Sequence, residues 1–249
     1  ERGSQMFYDI PNHSTIAYPS SWVGAPGSHP FLTGPWRAPG NNTNSFAREV
    51  QIDMMAEKAE MDPVEFRLQN LVNKKMLGVL KAAAEKFGWK PAKSPSGRGF
   101  GVACGIDAGT FVASIAEVEV NKSTGSVQVK RVVCAQDMGL VINPEGATIQ
   151  MEGCIMMGLG YALTERVMFK GGEVLNRNFD SYEIPRFSWL PKIETGILED
   201  KEADPQGGGE PAIVVMGGLI ANAIYDAIGV RLYQLPMTPE RIKEALKKT

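Results

Sequence analysis

The apolar positions between residues 44 and 88 recur every three or four residues, which is typical of amphipathic helices. The first predicted helix has its N-cap at Asn44 or Ser45 and ends near Glu60. Its apolar stripe comprises Phe46, Val50, Met54 and Ala59, and its predicted solvent-facing side comprises Arg48, Glu49, Glu57 and Lys58. We expect this helix to serve as scaffold.

Two further helices follow with clear start and stop signals. Asp62 is the expected N-cap of the second helix, and Pro63 stands at its first position, where no N–H donor is needed. Glu65 completes a capping-box pattern. The third helix runs from about Met76 to Phe87 and ends at Gly88, a residue type typical of the left-handed C-cap.

The period of the apolar positions falls to two after a linker at residues 90–97. Residues 100–106, 110–120 and 126–135 are rich in Val, Ile and Phe, and residues 121–125 have the composition of a hairpin loop. This pattern predicts three antiparallel strands. We also predict a hairpin that turns at Gly171 and Gly172, and a strand over 193–198.

The remaining apolar segments predict three more helices. The pair Asn143-Pro144 caps a helix that extends to about Leu163. Because an interior glycine costs roughly 1 kcal/mol relative to alanine, we expect a backbone or a ligand to approach this helix closely at its glycines. Those glycines are Gly153, Gly158 and Gly160, and the two last helices cover 213–228, ended by Gly229, and 239–247, capped by Thr238. Together, the predicted helices and antiparallel strands indicate an α+β fold.

Composition excludes several functional classes. The 249 residues carry 26 basic and 28 acidic side chains, so a basic surface for nucleic acid is not indicated. The three cysteines form no CxxC motif and the two histidines no HExxH motif, so we interpret the cysteines as small buried residues. The apolar stretch 212–221 is too short for a membrane span and predicts a buried helix. The start at Glu1, without a methionine or a targeting segment, suggests an internal piece of a longer protein.

Three segments are candidates for chemistry, each with an ordinary structural alternative. Gln206-Gly207-Gly208-Gly209-Glu210-Pro211 precedes an apolar helix, and a Glu210 carboxylate in a water-poor site would have a raised pKa suited to a general base. Read alone, it is more often a favourable acid in the first turn of a helix. The helix start at Asn143 with Gln150 could hold a phosphate and a heterocycle edge, or be a plain capped helix. The Trp36–Gly40 loop could hold an aromatic ring and a cation at a pocket, or be a simple turn.

The segment from Tyr8 to Gly40 is rich in Pro, Gly, Ser and Asn, has no regular period and carries scattered aromatics such as Trp22 and Phe31. We expect it to be ordered against other protein, because a disordered stretch would be poorer in aromatic residues.

Seven segments of the chain form a recognisable series. They are Tyr8–Asn12, Trp36–Gly40 with Phe46 to Asp53, Asp62–Leu71, Phe111–Val118, Asp137–Pro144, Gln150–Gly153 and Gly209–Pro211. In this order they resemble the C-terminal part of the molybdopterin-binding catalytic subunit of the xanthine dehydrogenase and aldehyde oxidase superfamily, closest to its isoquinoline 1-oxidoreductase-like branch. The resemblance runs from about Tyr8 to Leu235. Met138 stands where the family often has Cys.

The resemblance implies a reaction and a set of roles. A molybdenum pterin cofactor, expected as molybdopterin cytosine dinucleotide, would bring its own ligands, so no residue of this chain is expected to ligate the metal. Glu210 would be the general base of a hydroxylation that takes its oxygen from water and leaves two electrons for a redox partner. The cofactor-binding residues implied are Trp36, Arg37, Ala38, Asp137, Met138, Gly139, Asn143, Gln150 and Gly209.

The resemblance also implies partners, because the family's upstream Gly-Gln-Gly pterin-binding motif has no counterpart in these residues. We expect a chain with the N-terminal part of the molybdopterin subunit, and an iron–sulfur subunit. A flavin or haem (cytochrome) subunit would be the further electron acceptor. The expected regions are 1–43, a partner-packed segment with the metal-proximal loop; 44–90, helical; 98–237, cofactor-binding α+β; and 238–249, a C-terminal helix.

The expected function is therefore that of an enzyme active only as a complex, a molybdenum hydroxylase acting on an aldehyde or an N-heterocycle. The alternative is a non-catalytic half-subunit that completes the interface of a cofactor-bearing partner. The substrate and the compartment, cytoplasmic or periplasmic, stay open at this point.

Overall fold

The structure is a computed structural model that describes residues 2–16, 34–90 and 97–248. Trp22, Phe31 and most of the predicted 90–97 linker lie outside the described residues. The helices are α1 (Asn41–Lys58), α2 (Pro63–Gln69), α3 (Lys74–Phe87), α4 (Pro144–Leu163), α5 (Pro211–Val214), α6 (Met216–Ile228) and α7 (Pro239–Lys247). The strands are β1 (Arg98–Asp107), β2 (Thr110–Val120), β3 (Val127–Asp137), β4 (Phe169–Lys170), β5 (Glu173–Val174) and β6 (Lys192–Leu198).

The main sheet has the strand order β1-β2-β3-β6. Strands β1, β2 and β3 pair in antiparallel fashion, as the sequence predicts. Strand β6 pairs with β3 in parallel, so the sheet is mixed, and the predicted α+β class of helices with a largely antiparallel sheet is confirmed. The reason for the parallel pairing is the long connection through α4 and the small β4–β5 hairpin, because a crossover of this length returns the chain to the end of the sheet from which β3 started.

The sheet separates two hydrophobic cores, and neighbouring residues of β3 point into different ones. Cys134 belongs to the core formed with α4, α5 and α6, whereas Ala135 belongs to the core formed with α2 and α3. Cys104 and Cys154 are also buried, which confirms the interpretation of the cysteines as small core residues. Burial raises the pKa of the Cys104 and Cys134 thiols to about 12.

Helix α1 differs from its prediction at both its start and its polar face. It begins at Asn41, after Gly40 in a left-handed conformation, and not at a cap on Asn44 or Ser45. Glu49 is fully buried and lies 3.2 Å from Arg67 of α2 and 3.2 Å from Arg48. Half of the predicted solvent-facing side, Arg48 and Glu49, is therefore packed, because two arginines neutralise the carboxylate there, whereas Glu57 and Lys58 are exposed as expected.

The predicted helix over 213–228 is divided at Val215 into α5 and α6, and it ends at Gly229 as expected. The combined window Pro211–Ile228 is long and apolar enough to cross a bilayer, but 83% of it is buried inside the protein. It is therefore a core helix. Its backbone lies directly on β1, since a Cβ added to Gly101 would stand 2.1 Å from the carbonyl oxygen of Leu219.

The glycines of α4 accommodate side chains of their neighbours. A Cβ on Gly158 would stand 2.3 Å from the Met216 side chain, and one on Gly160 would stand within contact of Glu165. The predicted cap of α4 is confirmed, because the Asn143 side chain accepts a hydrogen bond from the Gly146 N–H at 2.9 Å.

Candidate functional site

The three candidate segments meet at the guanidinium group of Arg37. Its Nε donates to the carbonyl oxygen of Gly209 at 2.7 Å, and its Nη2 donates to Oε1 of Gln150 at 2.6 Å. Arg37 lies in the loop before α1, Gln150 in the second turn of α4, and Gly209 immediately before α5. The fold thus brings Arg37 to residues that lie 113 and 172 positions further along the chain.

Glu210 lies at the N-terminal end of α5, and both of its carboxylate oxygens have donors. Oε1 accepts from the backbone N–H of Ala38 at 2.8 Å, and Oε2 accepts from Nη2 of Arg2 at 2.6 Å. The side chain is 34% exposed. The Ala38 N–H, with Arg2 and Arg37, holds the pKa of Glu210 below its usual value despite partial burial. The expected rise of this pKa in an apolar pocket is therefore wrong.

The loop that supplies the Ala38 N–H is fixed by its own contacts. Ala38 is buried and has a φ of 56°, which is unusual for a residue other than glycine. The Asn42 side chain donates to the carbonyl oxygen of Arg37 at 2.8 Å. The Trp36 ring, 40% exposed, meets the Tyr161 ring edge-on at 5.8 Å. These contacts aim the Ala38 N–H at Glu210.

The Asp137–Gly139 turn packs against the glycine-rich loop of residues 206–209. Oδ1 of Asp137 accepts from the Gly139 N–H at 3.1 Å and lies 3.3 Å from Nζ of Lys75. The carbonyl oxygen of Met138 accepts from the Gln206 N–H at 2.8 Å. A Cβ on Gly208 would stand 3.0 Å from Sδ of Met138, so this turn and the loop are packed together.

Asn143 lies apart from the contacts around Arg37. Its side chain is exposed and its oxygen caps α4. Seven residues of helix separate it from Gln150, which corresponds to about 10 Å along the axis. The structure therefore places Asn143 at the start of α4 and not beside Glu210.

Two residues of this site carry no sequence motif. Arg2 bonds to Glu210 and, through Nε and Nη2, to the carboxylate of Asp107 at 2.8 and 2.6 Å. Asp107 ends β1, and its side chain is fully buried. Its sequence signal is weak, since it is a single carboxylate at the end of an apolar strand. The Ala108-Gly109 turn follows it, and the carbonyl oxygen of Ala108 accepts a hydrogen bond from the Gly207 N–H.

The residues around Arg37 bring a charged guanidinium group and an amide together beside the glycine-rich loop. Arg37 and Gln150 offer charged and amide N–H donors, and the exposed Gln150 side chain borders the loop. Among the described residues, a Cβ on Gly209 would have only Oε1 of Gln150 near it, at 3.8 Å, so these residues leave room for close approach. In residues 2–16, 34–90 and 97–248, no three His, Cys, Asp or Glu side chains are grouped to hold a metal ion.

Comparison with known proteins identifies relatives across most of the chain. The family described as "Molybdopterin cofactor-binding domain" matches residues 44–191. One subunit of the nicotinate dehydrogenase of Pseudomonas putida is 36% identical over 234 residues, which covers 87% of this chain and 20% of that protein. The beta subunit of isoquinoline 1-oxidoreductase of Brevundimonas diminuta is 36% identical over 197 residues, covering 78% of this chain and 25% of that protein.

The fold is also found in a solved enzyme structure. Quinoline 2-oxidoreductase from Pseudomonas putida 86 superposes with a TM-score of 0.76 at 15% identity, covering 86% of this chain and 53% of that one. At this identity the match concerns the fold alone. This chain spans only a fifth to a quarter of the length of the two curated relatives.

Proposed function

The chain belongs to the family of molybdopterin cofactor-binding domains, and from that premise we propose that it forms one side of the active site of a molybdenum hydroxylase. The proposed reaction oxidises a carbon of an aldehyde or an N-heterocycle, takes its oxygen from water and passes two electrons to a redox partner. The enzyme is active only as a complex.

One observation carries this proposal. Arg37 bridges Gln150 and the Gly209 carbonyl while the neighbouring Ala38 N–H bonds to Glu210. A scaffold needs no partly exposed carboxylate that is oriented by two donors beside a glycine-rich loop. The geometry therefore favours a catalytic chain over the alternative of a non-catalytic half-subunit.

We assign the cofactor contacts to the residues around this bridge. When bound, a molybdenum pterin cofactor, proposed as the cytosine dinucleotide form, supplies the two-electron chemistry. Arg37 and Gln150 would hold polar groups of the pterin, and Trp36, Ala38 and Gly209 would line its inner edge. The Asp137, Met138 and Gly139 turn would fix the loop, and Asn143 would lie further out, at the N-terminus of α4, where free N–H groups favour a phosphate.

Glu210 is the proposed general base. Its lowered pKa keeps the carboxylate ionised at neutral pH, so it can accept a proton without first losing one. The Ala38 N–H holds Oε1. Oε2 would accept the proton, and its hydrogen bond from Nη2 of Arg2 would break as it does so.

The remaining parts of the enzyme are proposed to come from other polypeptide. We infer a stretch or chain with the N-terminal half of the molybdopterin subunit and an iron–sulfur subunit. A flavin or cytochrome subunit would be the final electron carrier. Both curated relatives are named as single subunits of larger enzymes, which supports an assembly of several chains.

The test is Glu210→Gln in the assembled, cofactor-loaded complex. Because glutamine is nearly isosteric but cannot accept the proton, turnover should fall by about 10²- to 10⁴-fold. Molybdenum and pterin content, measured on the same sample, should stay near wild type.

Glu240→Gln is the matched control, because Glu240 is an exposed acid in the first turn of α7. It should leave turnover unchanged. If the fully loaded Glu210→Gln complex keeps a substantial fraction of wild-type activity, Glu210 is not the base, and the half-subunit alternative becomes the better explanation.

A further inference from the structure

Arg2 and Asp107 form a bidentate ion pair beside Glu210. Nε and Nη2 of Arg2 lie 2.8 and 2.6 Å from the two oxygens of Asp107, and the same Nη2 lies 2.6 Å from Oε2 of Glu210. A planar guanidinium group that is gripped at two atoms has a fixed orientation. The contact with Glu210 is therefore directed and not a chance approach of two flexible side chains.

Asp107 is the fixed end of this arrangement. Its side chain is fully buried, and Oδ1 also accepts from Nδ2 of Asn41 at 2.6 Å. Nδ2 of Asn41 also lies 2.9 Å from the carbonyl oxygen of Ile106 on β1. A buried carboxylate without such partners would be costly, so this set of donors ties Arg2 to the sheet through Asp107.

We propose that Asp107 and Arg2 are positioning residues that fix Oε2 of Glu210 and keep its carboxylate ionised. This inference rests on the proposed role of Glu210. The pair complements the Ala38 N–H, which fixes Oε1 at 2.8 Å. Arg2 thus acts on the reaction through Glu210, and Asp107 acts through Arg2.

The direction of the effect follows from the charges that face Glu210. The Ala38 N–H, Arg2 and Arg37 favour the ionised carboxylate, and partial burial opposes it. The Asp107 carboxylate, which shares Nη2 of Arg2 with Glu210, carries a like charge and also opposes it. The buried Cys154 thiol beside Gly209 is neutral because burial raises its pKa to about 11. Removal of the Arg2 cation should therefore raise the pKa of Glu210. As the pH falls, kcat/KM should therefore begin to decrease at a higher pH than in the wild type.

The test measures the pH dependence of kcat/KM for Arg2→Met in the assembled, loaded enzyme. The acidic limb should move up by about one pH unit, which is the low end of the range for an opposite charge because both side chains are partly exposed. Arg2→Lys keeps the charge but loses the bidentate contact with Asp107, so its acidic limb should move by less than that of Arg2→Met. An acidic limb that stays in place in Arg2→Met would overturn the proposal.

Two further variants control for folding and for unrelated ion pairs. Arg2→Met combined with Asp107→Asn leaves no unpaired buried carboxylate, so it should fold and should also show the upward shift. Glu194→Gln removes the charge of the Arg131–Glu194 pair on the sheet, which has the same 2.6 Å separation and is also partly exposed, and should leave the limb in place. A shift of equal size in Glu194→Gln would overturn the assignment to Arg2.

The design separates this inference from the proposed function. If Glu210→Gln abolishes turnover and Arg2→Met leaves the limb unmoved, Glu210 stands as the base and the positioning role fails. If Glu210→Gln retains turnover, the base assignment fails, and a crystal structure of Arg2→Met decides the positioning role. An unmoved Glu210 carboxylate in that structure would overturn it, and a displaced one would support it.

Discussion

Residue 38 contributes a conformation and not a functional group. Its φ of 56° aims the backbone N–H at Glu210, and its side chain is buried. A residue in the left-handed region is costly unless the surroundings impose it, and such residues are concentrated at functional sites. The observation agrees with a loop held in one shape by Asn42 and Trp36 to meet the carboxylate.

Gln150 is the residue whose loss should separate cofactor binding from catalysis. Oε1 of Gln150 accepts a hydrogen bond from Nη2 of Arg37 at 2.6 Å, and among the described residues no hydrogen bond joins Gln150 to Glu210. Gln150→Ala should weaken cofactor retention by about 1–3 kcal/mol, the range for one or two buried hydrogen bonds, and leave the rate per bound molybdenum nearly unchanged. Metal and pterin content after gel filtration, combined with turnover, measures both quantities.

Gln128→Ala is the control for that experiment, because Gln128 is exposed on β3 and pairs only with Lys130 in the described contacts. It should retain wild-type cofactor content. Full metal content with lost activity in Gln150→Ala would instead place Gln150 at the substrate.

Sequence reasoning selects Arg37, Gln150, Gly209 and Glu210, which the structure brings together, because each lies in a motif with glycine, proline or cap signals around it. It missed Arg2 and Asp107, which are single charged residues without such signals. The same omission reversed the expected pKa of Glu210, since the sequence did not reveal a cation and an N–H donor at its two oxygens.

At the scale of elements, the polar face of α1 shows the limit of periodicity. The period predicts that Arg48 and Glu49 face solvent, because they stand opposite the apolar stripe. Their partners come from α2 and from the N-terminal segment, where Arg67 and the hydroxyl of Tyr8 contact the Glu49 carboxylate. A helical period cannot report a charged partner on another element, so this burial was not predictable.

The Glu49 network should be essential for stability. Glu49→Ala leaves the buried Arg67 with only the more distant carboxylate of Asp53, at 3.7 Å, among the described residues, and should lower the free energy of unfolding by about 3–5 kcal/mol, or prevent accumulation of folded protein. Thermal unfolding of the assembled protein measures the loss.

Glu57→Ala removes a carboxylate from the same helix that is 48% exposed and pairs with Arg231. It should cost no more than about 1 kcal/mol, the usual range for exposed pairs. Equal losses in the two variants would show that the buried network adds nothing beyond an ordinary surface pair.

Strand β6 was predicted as a strand, but its direction was not. The direction follows from the route of the chain through α4 and the β4–β5 hairpin, and this route depends on packing that no local pattern records. The β1–β2–β3 meander was predictable because short turns such as residues 121–125 allow only an antiparallel return.

At the scale of the whole molecule, the segment around the β4–β5 hairpin carries many exposed apolar side chains. Phe187 is 90% exposed and Phe179 is 68% exposed. Others in the segment are Val167, Met168, Phe169, Leu175, Ile184 and Leu190. So many large apolar side chains exposed within one segment agree with the proposal that further polypeptide covers this segment.

The chain produced alone should therefore bind a hydrophobic dye or aggregate, and it should retain little cofactor. Fluorescence of the dye and elemental analysis of the purified chain test this expectation. The reference is the same chain coexpressed with its partner polypeptide, which should bind less dye and retain molybdenum. A soluble monomer with stoichiometric molybdenum would contradict the proposal of a divided site.

The contact between Glu210 and the Ala38 N–H joins residues that are 172 positions apart. At usual rates of translation, roughly 10–30 s pass between the synthesis of these two residues. Throughout that interval the nascent chain has the loop but not the carboxylate that it orients. The loop therefore has no carboxylate partner until the start of α5 has been synthesised, and this contact can fix its conformation only after that point.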